Sequence, residues 1–64
     1  MKIQDLIPVI EYTTKLAICT GHNMLFFGTK EELLSDTQNN IYLVVCSMDI
    51  ENICVEQKAL RIEI

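Results

Sequence analysis

The sequence predicts a small single α+β domain over residues 1–64, with elements in the order α-β-β-α-β-β and an antiparallel sheet. Three observations predict it. The chain ends in Leu60-Arg61-Ile62-Glu63-Ile64, where apolar and charged residues alternate with the period of a strand that has one buried and one wet face. Gly21-His22-Asn23 separates two apolar runs, Leu16 to Cys19 and Met24 to Phe27, as a hairpin turn does. Thr29-Lys30-Glu31-Glu32 has capping-box spacing: the Thr29 hydroxyl accepts from the N–H of Glu32, and the Glu32 carboxylate accepts from the N–H of Thr29.

Taken in order, Lys2 to Ile10 reads as a helix whose apolar stripe is Ile3, Leu6, Ile7 and Ile10, shortened or distorted near its middle by Pro8. Thr13 and Thr14 open a strand, Lys15 to Cys19, with Leu16 and Ile18 on one face. Met24 to Phe27 pairs back antiparallel and ends at Gly28. The capped helix runs from Lys30 to Asp36, buries Leu33 and Leu34, and leaves through the polar Thr37-Gln38-Asn39-Asn40. Ile41 to Ile50 is the longest β-type run. Tyr42, Val44, Cys46, Met48 and Ile50 share one parity, and Ile41, Leu43 and Val45 take the other. Apolar residues on both parities predict that Ile41 to Val45 is buried on both sides, as a central strand or one covered by a second subunit. Beyond Cys46 the opposite parity turns polar with Ser47, Asp49 and Glu51. Asn52 interrupts the run as a bulge or bend, Ile53-Cys54-Val55 continues it, and Gln57-Lys58 turns the chain into Ala59 to Ile64.

A domain of about 60 residues buries only ~60% of the surface its unfolded chain exposes. With 50% apolar residues, this chain has more to cover than so small a core holds. Self-association is the economical solution, most simply as a two-fold dimer through strand edges or through Ile41, Leu43, Val44 and Val45. Disorder is excluded by the hydrophobicity. Cys19, Cys46 and Cys54 are odd in number and lack Cys-x-x-Cys spacing, so they read as free thiols in a reducing compartment. Lys2 followed by Ile3-Gln4-Asp5 interrupts any signal-peptide core, and no apolar run approaches the ~20 residues of a membrane span. The expected location is the cytoplasm.

No residue pattern carries chemistry. His22, the only histidine, reads as a polar turn residue rather than a base or ligand, and Ser35 and Ser47 have no His–Asp partners. Gly28-Thr29-Lys30 departs from G-x-x-x-x-G-K-[ST]: position 23 is Asn, and Thr and Lys stand in the wrong order. No catalytic residue, metal ligand or cofactor is therefore expected. Asp49 and Glu51 are expected on one strand face, joined across the terminal hairpin by Glu56 and Glu63. Such a face is a solvated surface, an acidic patch for a basic partner, or a carboxylate pair for a divalent metal. The five basic residues are scattered and the net charge is −4, which disfavours ordinary nucleic-acid binding unless an oligomer gathers them.

Met1-Lys2-Ile3-Gln4-Asp5-Leu6-Ile7 follows the pattern M-K-[IV]-x-[DE]-L-[IL]. Leu25-Phe26-Phe27-Gly28 is an apolar-Phe-x-Gly element, and Glu56-Gln57-Lys58 precedes a strand of the form L-x-I-x-[IV]. On these motifs the chain resembles a diffuse group of small uncharacterised proteins from phages, prophages and gut bacteria. It departs from their pattern at Pro8 and in the length of the apolar Ile41 to Val45 segment. Members with known roles include anti-CRISPR and other anti-defence inhibitors, which act by binding. The resemblance implies a non-catalytic binding protein, in the host cytoplasm if phage-encoded, that occupies a surface of a host protein such as a basic nucleic-acid-handling one. It carries over no catalytic residue. Two other classes fit less of the sequence: a nucleic-acid-binding module whose basic residues converge only in an oligomer, and a minimal metal-dependent nuclease at a subunit interface using Asp49, Glu51 or His22.

Overall fold

Pro8 decides the first element. In the computed structural model, which describes residues 1–64, helix α1 spans only Ile3–Leu6 and gives way to a 3-10 turn, Ile7–Val9. Proline falls at the start of that turn, where its missing N–H breaks no helical bond. Asp5 caps α1 by accepting from the N–H of Lys2 at 3.0 Å. Ile3, Leu6 and Ile7 are buried, so the stripe survives the change of helix type.

The next two elements form a hairpin, β1 (Lys15–Thr20) and β2 (Asn23–Thr29), turning on Gly21-His22. Gly21 has φ +59°, which the first central residue of a type II′ turn requires and glycine adopts cheaply. Helix α2 (Lys30–Ser35) follows β2 without a loop. Its capping box is formed: Glu32 N–H to Thr29 Oγ1 is 3.2 Å, and Thr29 N–H to Glu32 Oε1 is 2.9 Å. The backbone N–H of Thr29, and then its hydroxyl, hold the Glu32 carboxyl below its ordinary range. Lys30 is buried at the helix start. Its ammonium donates to the Ile10 carbonyl at 2.8 Å and lies 4.7 Å from the Tyr12 ring centroid, tying the α1–β1 link to α2.

Helix α3 covers Ile41–Val45, where a strand is predicted. Ile41 and Tyr42 pack against the core and Val45 is buried within it, while Leu43 and Val44 face outward. That is an i, i+1, i+4 stripe, not alternation. A short apolar run on both parities fits a buried strand and a helix face equally, and the β-branched Ile and Val tilt the reading toward strand. Packing against α2 and the core cluster decides for the helix. The third strand is therefore β3, Asn52–Glu56, and it closes a second hairpin with β4, Ala59–Glu63. Glu51 donates its N–H to the Glu63 carbonyl at 2.7 Å, and Asn52 also stands opposite Glu63. Two successive residues thus address one, the irregularity expected at Asn52.

Strand order is β2-β1-β4-β3. Each hairpin is antiparallel, but β1 and β4 run parallel, pairing Leu16 with Leu60 and Ile18 with Ile62. The sheet is mixed, a correction to the wholly antiparallel one predicted. Turn chemistry specifies only neighbouring strands; how two hairpins join is set by the crossover through α2 and α3. The charged-apolar terminal strand is thus central, and its ladder continues to Ile64, whose N–H donates to Cys19 O at 2.9 Å. Helices cover one sheet face, where Ile3, Leu6, Ile7, Leu16, Ile18, Leu33, Val45 and Ile62 make the core. Leu34, predicted to be buried beside Leu33, is exposed, since adjacent positions on a helix point apart.

The β3–β4 turn holds local strain. Gln57 (φ 51°) and Lys58 (φ 63°) both occupy the left-handed region that a type I′ turn demands, without the Asn-Gly pair that favours it. Replacing them by Gln57→Asn with Lys58→Gly is expected to stabilise the fold by about 1 kcal/mol, raising Tm by roughly 4–8 °C. A thermal melt checks this; an unchanged or lower midpoint would contradict the turn assignment.

Candidate functional site

The sheet face opposite the helices has no covering layer, and its side chains follow from the register. Ala17, Cys19, Arg61 and Glu63 alternate with the core residues of β1 and β4, and Cys54 and Glu56 join them from β3. On β2 the register shifts: Ile18 pairs with Phe26, but Cys19 pairs with Met24, so Leu25 is an extra residue. This bulge resets the parity and places Met24 and Phe27 on the same open face, three positions apart. Both are 59% exposed.

Between these elements lies a shallow depression of about 110 Å³. The small, buried Ala17 and Ala59 form its floor, Met24 and Phe27 wall one side, and Glu56, Gln57 and Arg61 wall the other. Small-molecule sites run to ~300–1,000 Å³, so this hollow suits one side chain of a partner rather than a substrate. Arg61 is held in place over it: its Nε donates to Glu63 Oε1 at 3.2 Å, and its Nη1 lies 3.8 Å from Glu56 Oε2. The arrangement presents two apolar anchors beside a fixed guanidinium and two carboxylates. Aromatic residues, Met and Arg are the types enriched at protein interfaces.

The residues singled out from sequence are scattered. His22 sits exposed in the β1–β2 turn. Ser35 donates back to the Glu31 carbonyl at 2.8 Å within α2, and Ser47 is an exposed turn residue. Asp49 and Glu51 do not share a strand face, because the strand expected to carry them is absent. Asp49 forms an isolated bridge with Lys2, Glu51 leads into β3, and both are exposed. The carboxylates that do share a face are Glu56 and Glu63, with Arg61 between them. Of the expected interface set, Val45 is buried and Ile41 half-buried, leaving Leu43 and Val44 on the surface. Cys19 is buried, Cys46 half-buried and Cys54 exposed, all as free thiols. No three His, Cys, Asp or Glu side chains converge as metal ligands would. No helix is long and apolar enough to cross a membrane.

Met24, Phe27 and Arg61 were not marked by sequence reasoning. The signal was the unbroken apolar run Met24 to Phe27 on an edge strand, where strict alternation would have buried every second residue. No family model, curated protein or solved structure matches the chain. Its class rests on its own geometry: a small α+β domain with one covered and one open sheet face.

Proposed function

We propose that this chain is a small cytoplasmic non-catalytic binding protein of phage or mobile-element type, acting by occupying a surface of a host macromolecule as an anti-CRISPR or other anti-defence inhibitor does. The observation that carries the reading is the open sheet face, where Met24 and Phe27 stand exposed beside the Glu56–Arg61–Glu63 cluster. The terminal and central motifs support the phage-type assignment. The net charge of −4 favours encounter with basic partners, such as nucleic-acid-handling proteins, through attraction that weakens as salt rises. Exposed Leu43, Val44 and Val55 add apolar surface that self-association would cover, so the working species is a homo-oligomer, most simply a dimer.

The test is affinity capture from bacterial lysate with wild type and Phe27→Glu in parallel. Wild type is expected to retain a discrete host protein, and Phe27→Glu, a substitution on a wet face, to recover at least about tenfold less of it. Equal recovery by both would remove the open face from the reading. DNA or RNA binding that falls steeply with salt, without any captured protein, would favour the nucleic-acid module instead.

A further inference from the structure

Strand β3 is the least protected element of the fold. It is an outer strand, every one of its residues is exposed, and its only substantial neighbour is β4. The other edge, β2, is bulged at Leu25, which discourages pairing with another chain. On β3 there is no proline, no lysine and no bulge between Ile53 and Glu56. Ile53 and Val55 stand on the helix-side face, opposite the core residue Ile62 and the half-buried Leu60, yet both are exposed and Val55 is 78% exposed.

We propose that β3 is a self-complementary seam that pairs antiparallel with β3 of a second copy, Cys54 opposite Cys54 of the partner, making one continuous sheet across the two-fold axis. This rests on the homo-oligomer reading above and assigns its interface. The backbone supports the register. In a two-residue hairpin the pair flanking the turn, Glu56 and Ala59, exchanges both bonds, and so does every second pair after it. Ile53 and Val55 are the intervening residues, so their N–H and C=O groups point to the free edge. With Cys54 on the axis, Ile53 of one copy meets Val55 of the other and each pair exchanges both bonds.

The side chains agree. That register joins Ile53 and Val55 of both copies into an apolar strip continuous with Leu60 and Ile62. Glu56 falls opposite Asn52 and Glu51 opposite Gln57, so no carboxylate faces another. Moving the centre to Ile53 sets Val55 against Glu51; moving it to Val55 sets Ile53 against Gln57. Either shift keeps one apolar pair on the axis and sets the other apolar residue of each copy against a polar one, so burial selects the register centred on Cys54.

The same register makes Cys54 a non-hydrogen-bonded pair, with Cα atoms about 4.5 Å apart, inside the roughly 4.4–6.8 Å range of disulfides. The test combines light scattering with oxidation by diamide, which accepts the two thiol hydrogens as the S–S bond forms. Wild type is expected to scatter as a dimer and to become a covalent dimer, Cys46→Ser to do the same, and Cys54→Ser to dimerise without a crosslink. Val55→Lys, at an exposed position, is expected to keep its circular dichroism and raise the dimer dissociation constant at least about tenfold. A dimer unaffected by Val55→Lys, or a crosslink that survives Cys54→Ser, would overturn the seam while leaving the oligomer intact. A wild-type monomer at every concentration would overturn both.

Discussion

Ile62→Asp is expected to unfold the protein. Ile62 has no exposed surface, lies in the central strand β4, and is flanked by Ile18 of β1 and Ile53 of β3. Losing its burial removes about 1.5–3 kcal/mol. Leaving a carboxylate in its place adds a penalty of several kcal/mol or forces protonation, since the buried cation Lys30 is already engaged by the Ile10 carbonyl and the Tyr12 ring. A native domain holds roughly 0.05–0.15 kcal/mol per residue, about 3–10 kcal/mol for this chain of 64 residues. The substitution alone is of that size. Glu63→Lys is the matched control, one position on and facing the open side. It removes a half-exposed ion pair with Arg61, of a kind worth about 0–1 kcal/mol, so the domain is expected to stay folded. Circular dichroism and thermal melts of the pair decide the matter: similar midpoints would mean that β4 does not present these residues to opposite faces.

What could be read from the residues was whatever local chemistry specifies. Gly21 marks a turn because a two-residue hairpin needs positive φ, Gln57-Lys58 marks one only as a polar break between two apolar runs, and both hairpins form where they stand. Thr29 and Glu32 mark a helix start because a hydroxyl and a carboxylate three positions apart satisfy the free N–H groups there. Pro8 marks the limit of α1 because it lacks a donor. The parallel joining of β1 to β4 was not legible, since no single turn encodes it. Nor was the open face: Met24 and Phe27 lie three positions apart and would fall on opposite faces of a regular strand, and only the inserted Leu25 brings them together. Phe26, on the covered face, packs closely over Gly28, where an added Cβ would meet its ring at 3.0 Å. The edges of β2 and β3 differ for the same kind of reason: one is broken by the bulge at Leu25, the other regular and bare. Acidic Asp49 and Glu51 were grouped by a parity that holds only in a strand, and the chain there bends instead.

The segment Ile41–Val45 gives the sharpest test of that correction, because helix and strand disagree about which residues share a face. In a strand, Leu43 and Val45 have the same parity and the same surroundings. In α3 they are two positions apart on a helix, nearly opposite: Val45 is 1% exposed and Leu43 is 71% exposed. Val45→Lys is therefore expected to cost at least about 3 kcal/mol, since it removes a buried valine and forces an ammonium among Ile3, Leu33 and the other core side chains. For a domain this small, that is enough to leave much of the population unfolded at room temperature. Leu43→Lys is expected to change stability by no more than about 0.5 kcal/mol, as an exposed substitution to a good helix former. Urea titrations followed by circular dichroism compare the two directly, with Val44→Lys, also exposed, expected to behave like Leu43→Lys. If Leu43→Lys and Val45→Lys lose stability together while Val44→Lys does not, the segment alternates as a strand and helix α3 is wrong.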